Sequence, residues 1–283
     1  MTRLKKVGFK MGNVSVIIPT WNREDTVGKA IYSALSQTVP PMEVLVCDDG
    51  STDKTMELVQ SINDPRVRWS QGIRGGRPAI PRNRGIKESQ GEWLAFLDSD
   101  DRWLPEKLEK QLQLAEKSNC LAVCSNAGRF LPDKGIVGNL LMWNNDRVNF
   151  DDLLYVNQVI CSSTIIHKSL FATVGGFPED VRFTAIEDYA LWLRVATRTD
   201  FAFVGEPLLI YCDDPASSLR SKDANVFEQR RIVFDNFKEW GKEHNIPGVY
   251  LRKVRIRRVV DLLALPKTML HGLVVRLKKY FAK

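Results

Sequence analysis

No stretch of this 283-residue chain holds the roughly 18 to 20 apolar residues in a row that a helix needs to cross a bilayer. No secretory leader is expected, since Met1 to Lys10 is basic but no long apolar run follows before the first strand. The expectation is a cytoplasmic protein. Cysteine is scarce and scattered. Cys47, Cys120, Cys124, Cys161 and Cys212 fall at none of the usual zinc spacings, so they read as buried free thiols in a reducing compartment. No Gly-x-Gly-x-x-Gly follows the first strand, which removes the fingerprint of NAD-dependent enzymes. No nucleic-acid-binding motif accompanies the formal net charge of +7. The hydrophobic content, 44%, supports a real core, and the length suits one large domain plus an extension.

The charge is segregated. Residues 219–283 carry 16 Lys and Arg against 6 Asp and Glu, whereas residues 1–218 carry 25 against 28. We therefore expect a mildly acidic domain over 1–218 and a basic, helical, amphipathic extension over 219–283. In that extension Arg252-Lys253-Val254-Arg255-Ile256-Arg257-Arg258 interleaves cations with aliphatics, and an apolar series runs from Leu262 to Leu277 around Pro266. Such a pattern reads as an anionic membrane surface being bound, or as a helix packed on the domain with a solvated basic face.

Apolar runs that end in acid dominate the rest. Val14-Ser15-Val16-Ile17-Ile18-Pro19 reads as a buried strand, followed by a polar break and a helical rhythm from Glu24 to Gln37. Val44 to Cys47 is a second strand, closed by Asp48-Asp49-Gly50-Ser51-Thr52-Asp53, with a helix expected from about Lys54 to Ile62. Trp93 to Leu97 is another, and Asp98-Ser99-Asp100-Asp101 follows it at once. Strand, helix, strand, helix argues a parallel sheet with right-handed crossovers. Carboxylates clustered at strand ends repel unless something positive joins them, and a hard divalent cation shared with substrate phosphates is a natural partner. The other reading is helix capping, a role suited to Asp101 ahead of Trp103-Leu104-Pro105-Glu106.

Val16 to Arg23, Leu35-Ser36-Gln37-Thr38, Asp48 to Asp53, Arg82-Asn83-Arg84-Gly85-Ile86 and Leu97 to Asp101 resemble, in order and spacing, the successive signatures of family 2 inverting glycosyltransferases. Gly175-Gly176-Phe177-Pro178-Glu179 and Glu187-Asp188-Tyr189-Ala190-Leu191-Trp192-Leu193-Arg194 resemble the acceptor-side signature. The resemblance spans about residues 13 to 212. It implies the α/β nucleotide-sugar-binding fold called GT-A, a mostly parallel sheet flanked by helices. It also implies a nucleotide-sugar donor, a divalent metal (Mn or Mg), and a glycan or lipid-linked acceptor. Carried over residue by residue, Asp100 becomes the metal ligand, with Asp98 reaching the ribose or the metal beside Ser99. Asp49 faces the nucleobase edge, and Pro19, Thr20 and Asn22 line the same pocket. Arg82, and after it Arg77, lies over the nucleotide or its phosphates. Asp188 is the catalytic base, with Glu187 as the alternative, while Trp192 and Arg194 pack.

The chemistry agrees with those roles. A diphosphate leaving group gains negative charge as its bond breaks, the acceptor hydroxyl must lose a proton, and the base moiety must be gripped. Ionised carboxylate only accepts hydrogen bonds, so Asp49 suits the N3–H of uracil. A carboxylate at the start of a helix, as Asp188 is expected to be, stays ionised. The glycines at 72, 75 and 76 suggest a loop that closes over the donor. Residues 130–154 show little periodicity and are expected to form an irregular region near the acceptor; Trp143 there is expected to pack rather than stack on sugar. His167 is read as structural. Two competing classes remain on the page. A sugar-phosphate nucleotidylyltransferase would want a Gly-rich, basic loop where Pro19-Thr20-Trp21-Asn22 stands, and a non-catalytic scaffold would not need Asp98, Asp100 and Asp188 together.

Overall fold

The computed structural model describes residues 13–214 and 225–263, which group into two compact units described separately. The expected boundary at 218/219 lies outside the described residues, as does the apolar series beyond Leu263. In the first unit β1 (Val14–Thr20), α1 (Val27–Leu35), β2 (Glu43–Asp48), α2 (Thr55–Ser61), β3 (Val67–Gln71), α3 (Ala79–Glu88) and β4 (Trp93–Phe96) alternate. Then come β5 (Arg102–Trp103), α4 (Lys107–Ser118), β6 (Ala122–Leu131), β7 (Gly135–Asn139), β8 (Arg147–Val148), α5 (Phe150–Leu153) and β9 (Ile165–His167). The unit closes with α6 (Phe171–Val174), α7 (Glu187–Val195) and β10 (Phe201–Cys212).

One mixed sheet runs in the order β3-β2-β1-β4-β9-β6-β10-β5, with β7 added to β6 and β8 to β10. The β3-β2-β1-β4 run is parallel throughout, and β6 is parallel to β10; β9 is antiparallel to both β4 and β6. Helices cover it because β1, β2 and β4 are buried along their whole length. A continuous run of Val, Ile and Leu, rather than an alternating one, is what a strand buried on both faces needs. Val27, Ala30, Ile31 and Ala34 of α1 recur every three to four residues and are fully buried against this sheet. Each such aliphatic contributes about 1.5–3 kcal/mol when taken from water.

The chain travels outward from β1 to β2 and β3, then returns to lay β4 on the opposite side of β1. The strand order reverses at β1, and the crevice at the carboxyl ends of β1, β2 and β4 is where such sheets bind ligands. Those ends carry Thr20, Asp49 and Asp98. The fold thereby gathers three sequence segments spread over nearly 80 residues.

Two local expectations are corrected. Asp101 does not cap a helix. Arg102 and Trp103 pair antiparallel with Ile210 and Leu209 of β10, so α4 starts only at Lys107, after Glu106, without a side-chain cap. Residues 130–154 are also more ordered than their weak periodicity implies: β7 forms a hairpin with β6, and Asn149 and Asp152 close a capping box on α5. These strands are short and largely exposed, so they carry no alternating apolar signal.

The second unit pairs α8 (Val226–Glu243) with α9 (Gly248–Leu263). Asn225 caps α8 through the Phe227 and Glu228 N–H groups. Asp261 of α9 is gripped by Arg230 of α8 and by Arg257, each at 2.9 Å. Arg258 reaches back to Asp235.

α3 can lie close on the sheet because Gly85 has no side chain: a Cβ there would meet Ile17 Cγ2 at 2.6 Å and Cys47 Sγ at 2.9 Å. Gly85→Ala should therefore cost about 1–3 kcal/mol by overpacking. Gly28→Ala in α1, whose nearest neighbour would be Leu58 Cδ2 at 3.5 Å, should be neutral or gain up to about 1 kcal/mol of helix propensity. Urea unfolding of the two variants checks this; equal effects would contradict the packing account.

Candidate active site

The crevice opens into a cavity of about 590 Å³ lined by Pro19, Thr20, Asp49, Arg82, Asp98, Ser99, Asp100, Glu187 and Asp188 among others. All but one of the site residues expected from sequence meet here. Asn22 does not line it. Its backbone adopts the left-handed region (φ 49°) that asparagine tolerates, and its side chain accepts from Thr52 N–H at 2.8 Å. Its own N–H donates to Ser51 Oγ at 2.9 Å. Asn22 thus stitches the turn after β1 to the turn after β2.

The two aspartates after β2 divide their work. Asp48 is fully buried and accepts from the Gly50 N–H at 2.8 Å and from the Ser51 N–H and hydroxyl, shaping the turn. Asp49 faces the cavity. It accepts from the N–H groups of Gly75 and Gly76, each at 2.8 Å, and from the Arg74 guanidinium. That guanidinium lies 3.7 Å from the centre of the Trp21 ring. The 72–76 loop is therefore folded onto Asp49. A carboxylate offers about four lone-pair directions, so three donors leave capacity for one more.

Arg82 is the centre of the site. It is buried, and donates to Glu187 Oε1 and to Asp98 Oδ1, each at 2.6 Å. Burial works against its charge; the Asp98 and Glu187 carboxylates reverse that and hold it protonated. α3 thus ties the end of β4 to the first turn of α7. Asp98 N–H in turn donates to Ser162 Oγ at 3.0 Å. Asp100 lies 3.8 Å from the Arg23 guanidinium. Burial, then the charge of Asp98, pushes the Asp100 carboxyl above the usual range, with Arg23 opposing them. Asp101 points away from solvent and accepts from Cys212 N–H at 2.8 Å, fastening the end of β10 beside the cavity.

At α7, Glu187 is buried against Arg82, whereas Asp188 is half-exposed at the cavity wall. Just before them Ala185 has φ 66°. The left-handed region costs an alanine roughly 1–2 kcal/mol. This strain sits at the cavity wall, three residues from Asp188, where functional sites commonly store it. His167 stacks edge-on against Trp93 and is not at the cavity, and Trp143 donates to Arg147 C=O, also away from it. The cysteines are free thiols, four of them buried.

Several lining residues escaped the sequence reading: Trp21, Arg23, Arg74, Tyr211, Asp213 and Asp214. Trp21 and Arg23 lie inside a motif already singled out. Asp213 and Asp214 follow the apolar run of β10 as Asp98 follows β4, so the same signal would have found them. Arg74 and Ala185 carry no such mark.

The glycosyl transferase family 2 model matches residues 15–174, more than half of the chain. This chain is a family 2 glycosyltransferase. Two Escherichia coli relatives, WfaP and WfgD, are each named as UDP-Glc:alpha-D-GlcNAc-diphosphoundecaprenol beta-1,3-glucosyltransferases. WfaP is 31% identical over 185 residues, covering 65% of this chain and 70% of that protein. WfgD is 29% identical over 222 residues, covering 78% and 84%. Among solved structures, S. aureus TarS 1–349 in complex with UDP-GlcNAc superposes with a TM-score of 0.69 at 20% identity, over 90% of this chain and 74% of that one. The likeness shows the GT-A fold of the glycosyltransferase.

In this glycosyltransferase the Arg82 bridge predicts a specific pattern. Arg82→Met leaves Glu187 buried without a partner and should cost about 3–5 kcal/mol. Adding Glu187→Met removes the orphaned charge and should restore much of that loss. Urea unfolding measures both; a double variant no more stable than the single one would contradict the bridge.

Proposed function

We propose that this glycosyltransferase moves a sugar, with inversion, from a uridine diphosphate sugar to a hydroxyl of a diphosphate-lipid-linked saccharide during assembly of a surface polysaccharide. The observation that carries it is the convergence of Asp49, the Asp98–Asp100 pair and Asp188 on one cavity at the strand switch point. The names of the two E. coli relatives favour the donor and acceptor classes.

The donor would enter with its base between the Asp49 loop and Trp21. The remaining capacity of Asp49 can take the N3–H of uracil, where cytosine has an acceptor; thymine offers the same N3–H. Residues fit a divalent metal at Asp98 and Asp100. Two carboxylates crowd there: Arg82 takes one oxygen of Asp98, Arg23 lies 3.8 Å from Asp100, and burial raises the cost of the Asp100 charge. Among the described residues no three His, Cys, Asp or Glu side chains group as a cage, which suits an ion that takes its other ligands from substrate phosphates and water. A solved mannosyltransferase of Pyrobaculum calidifontis with this fold holds GDP-Man and Mn2+ (TM-score 0.59, 18% identity). When bound, such a metal offsets the charge that develops on the leaving diphosphate.

Asp188 is the base on this reading, because it stands half-exposed at the cavity wall while Glu187 is buried against Arg82. The acceptor oxygen attacks the anomeric carbon, the carbon–oxygen bond to the diphosphate breaks, and the acceptor proton passes to Asp188. Arg82 orients both carboxylates around that line without touching the reacting atoms. Asp188→Asn should keep UDP binding and lower transfer by roughly 100- to 10,000-fold, while UDP should raise the melting temperature more than CDP. A thermal-shift panel of nucleotides and an assay of sugar transfer test both. Transfer at the normal rate by Asp188→Asn, or equal shifts by UDP and CDP, would overturn the respective role.

The enzyme would work in the cytoplasm, held peripherally on the inner face of the membrane. Among the described residues no helix is long and apolar enough to cross a bilayer. On α9, Val249, Ile256, Val260 and Leu263 recur at helical spacing and are exposed, with exposed Arg252 and Arg255 on the same helix. A basic helix with an outward apolar stripe favours an anionic surface. The full-length protein should sediment with anionic but not neutral vesicles, and Ile256→Asp combined with Val260→Asp should release it. Indifference to anionic vesicles would leave α9 without this role.

A further inference from the structure

Four arginines line the cavity, and three are spoken for. Arg23 approaches Asp100, Arg74 holds Asp49, and Arg82 bridges Asp98 and Glu187. Arg77 is different. Among the described residues no carboxylate lies within ion-pair distance of it, and its Nε is buried without a hydrogen-bond partner. An arginine kept at a cavity wall without an acidic partner is a costly arrangement unless an anion completes it.

Its position narrows the anion. Gly76, Arg77 and Pro78 join the loop folded onto Asp49 to the uncapped start of α3. The charge of Arg77 acts on Asp180, which is already forked to its neighbour Arg182. Asp180 belongs to the segment between α6 and α7 that leads to Asp188. That segment is pinned to α3, since Asn83 donates to Phe177 C=O at 2.8 Å and accepts from Phe177 N–H at 2.8 Å. Arg77 thus stands between the loop held by Asp49 and the segment that leads to Asp188, whereas the donor diphosphate would be held at the end of β4 through a metal on Asp98 and Asp100.

We propose that Arg77 is the phosphate-binding residue of the acceptor subsite, so that the enzyme selects acceptors whose sugar is linked to a phosphate. This rests on the reading of the acceptor as diphosphate-linked. Guanidinium presents a planar fork that matches phosphate oxygens, and its contact selects by charge where the sugar alone offers only hydroxyls.

The test separates the two possible sources of phosphate. Full-length protein saturated with UDP is titrated with inorganic pyrophosphate and with farnesyl diphosphate, with farnesol as the uncharged control. The wild type should bind both diphosphates. Arg77→Gln should weaken them by about tenfold or more, the size of one charge-assisted contact, and Arg77→Lys by less. UDP affinity of the free protein should shift far less than diphosphate affinity does. With acceptors, Arg77→Gln should lose at least about ten times more kcat/KM on a GlcNAc-diphosphate lipid than on the matching alkyl glycoside. A UDP-saturated wild type that ignores both diphosphates, or a variant that binds them normally, overturns the proposal. So does an equal loss of UDP affinity, which would give Arg77 to the donor. If Arg77→Gln does not fold, Arg77→Lys carries the same comparison. If UDP fails to bind at all, the donor reading falls by itself. Pyrophosphate binding to the free protein then decides: its loss in Arg77→Gln supports the assignment, and its persistence ends it.

Discussion

The buried guanidinium of Arg82 is the contact on which the site depends. Asp98 arrives from the end of β4 and Glu187 from the start of α7, nearly 90 residues apart in the chain. Both are carboxylates in a low-dielectric crevice, where like charges repel strongly. A single cation hydrogen-bonded to both, at 2.6 Å each, makes their approach favourable. It also divides the acidic pair on α7. Glu187 is consumed as a structural anion, which leaves Asp188 at the wall of the cavity. Lysine could not do the same, because a point charge on a flexible stem does not fix two acceptors in one plane.

That bridge is possible only because α3 lies tight against β1 and β2. Gly85, on the same helix three residues from Arg82, permits the approach to Ile17 and Cys47. The dense apolar ladder of β1, β2 and β4 supplies the energy, and the polar ends of those strands inherit a rigid base. A site built on strand ends keeps its carboxylates in place, while the 72–76 loop is tied to Asp49 by hydrogen bonds.

The polar side chains around the cavity also show an incomplete set of hydrogen bonds. Thr20 Oγ1, the Nε atoms of Arg77 and Arg82, and Glu187 Oε2 are buried without partners. Buried polar groups are usually satisfied, so several orphans around one cavity mark a surface organised for a polar ligand. Asp48 is saturated by its own turn, whereas Asp101 accepts the N–H at the end of β10 and keeps its other oxygen buried without a partner.

Much of this was legible in the sequence because it is local. A run such as Val14 to Ile18 can only be a buried strand, and acid at the ends of β2 and β4 marks the ligand edge of a parallel sheet. Asp49, Asp98, Asp100, Arg82, Glu187 and Asp188 were all named from such patterns and from their resemblance to family 2 signatures. Their partners were not legible. Nothing in Arg82-Asn83-Arg84 says which arginine turns inward, and Asp101 looks like a helix cap until Arg102 and Trp103 are seen to pair with β10. Nothing in Asn22 says that its side-chain oxygen accepts from Thr52 N–H, and Ala185 gives no hint of its left-handed backbone. By itself the sequence determined the strands, their acidic ends and the family, since burial and turn chemistry act on neighbours in the chain. Only the tertiary structure decided which charges are neutralised and which face the cavity, because a carboxylate's role is set by the cation that packing brings within hydrogen-bond distance of it.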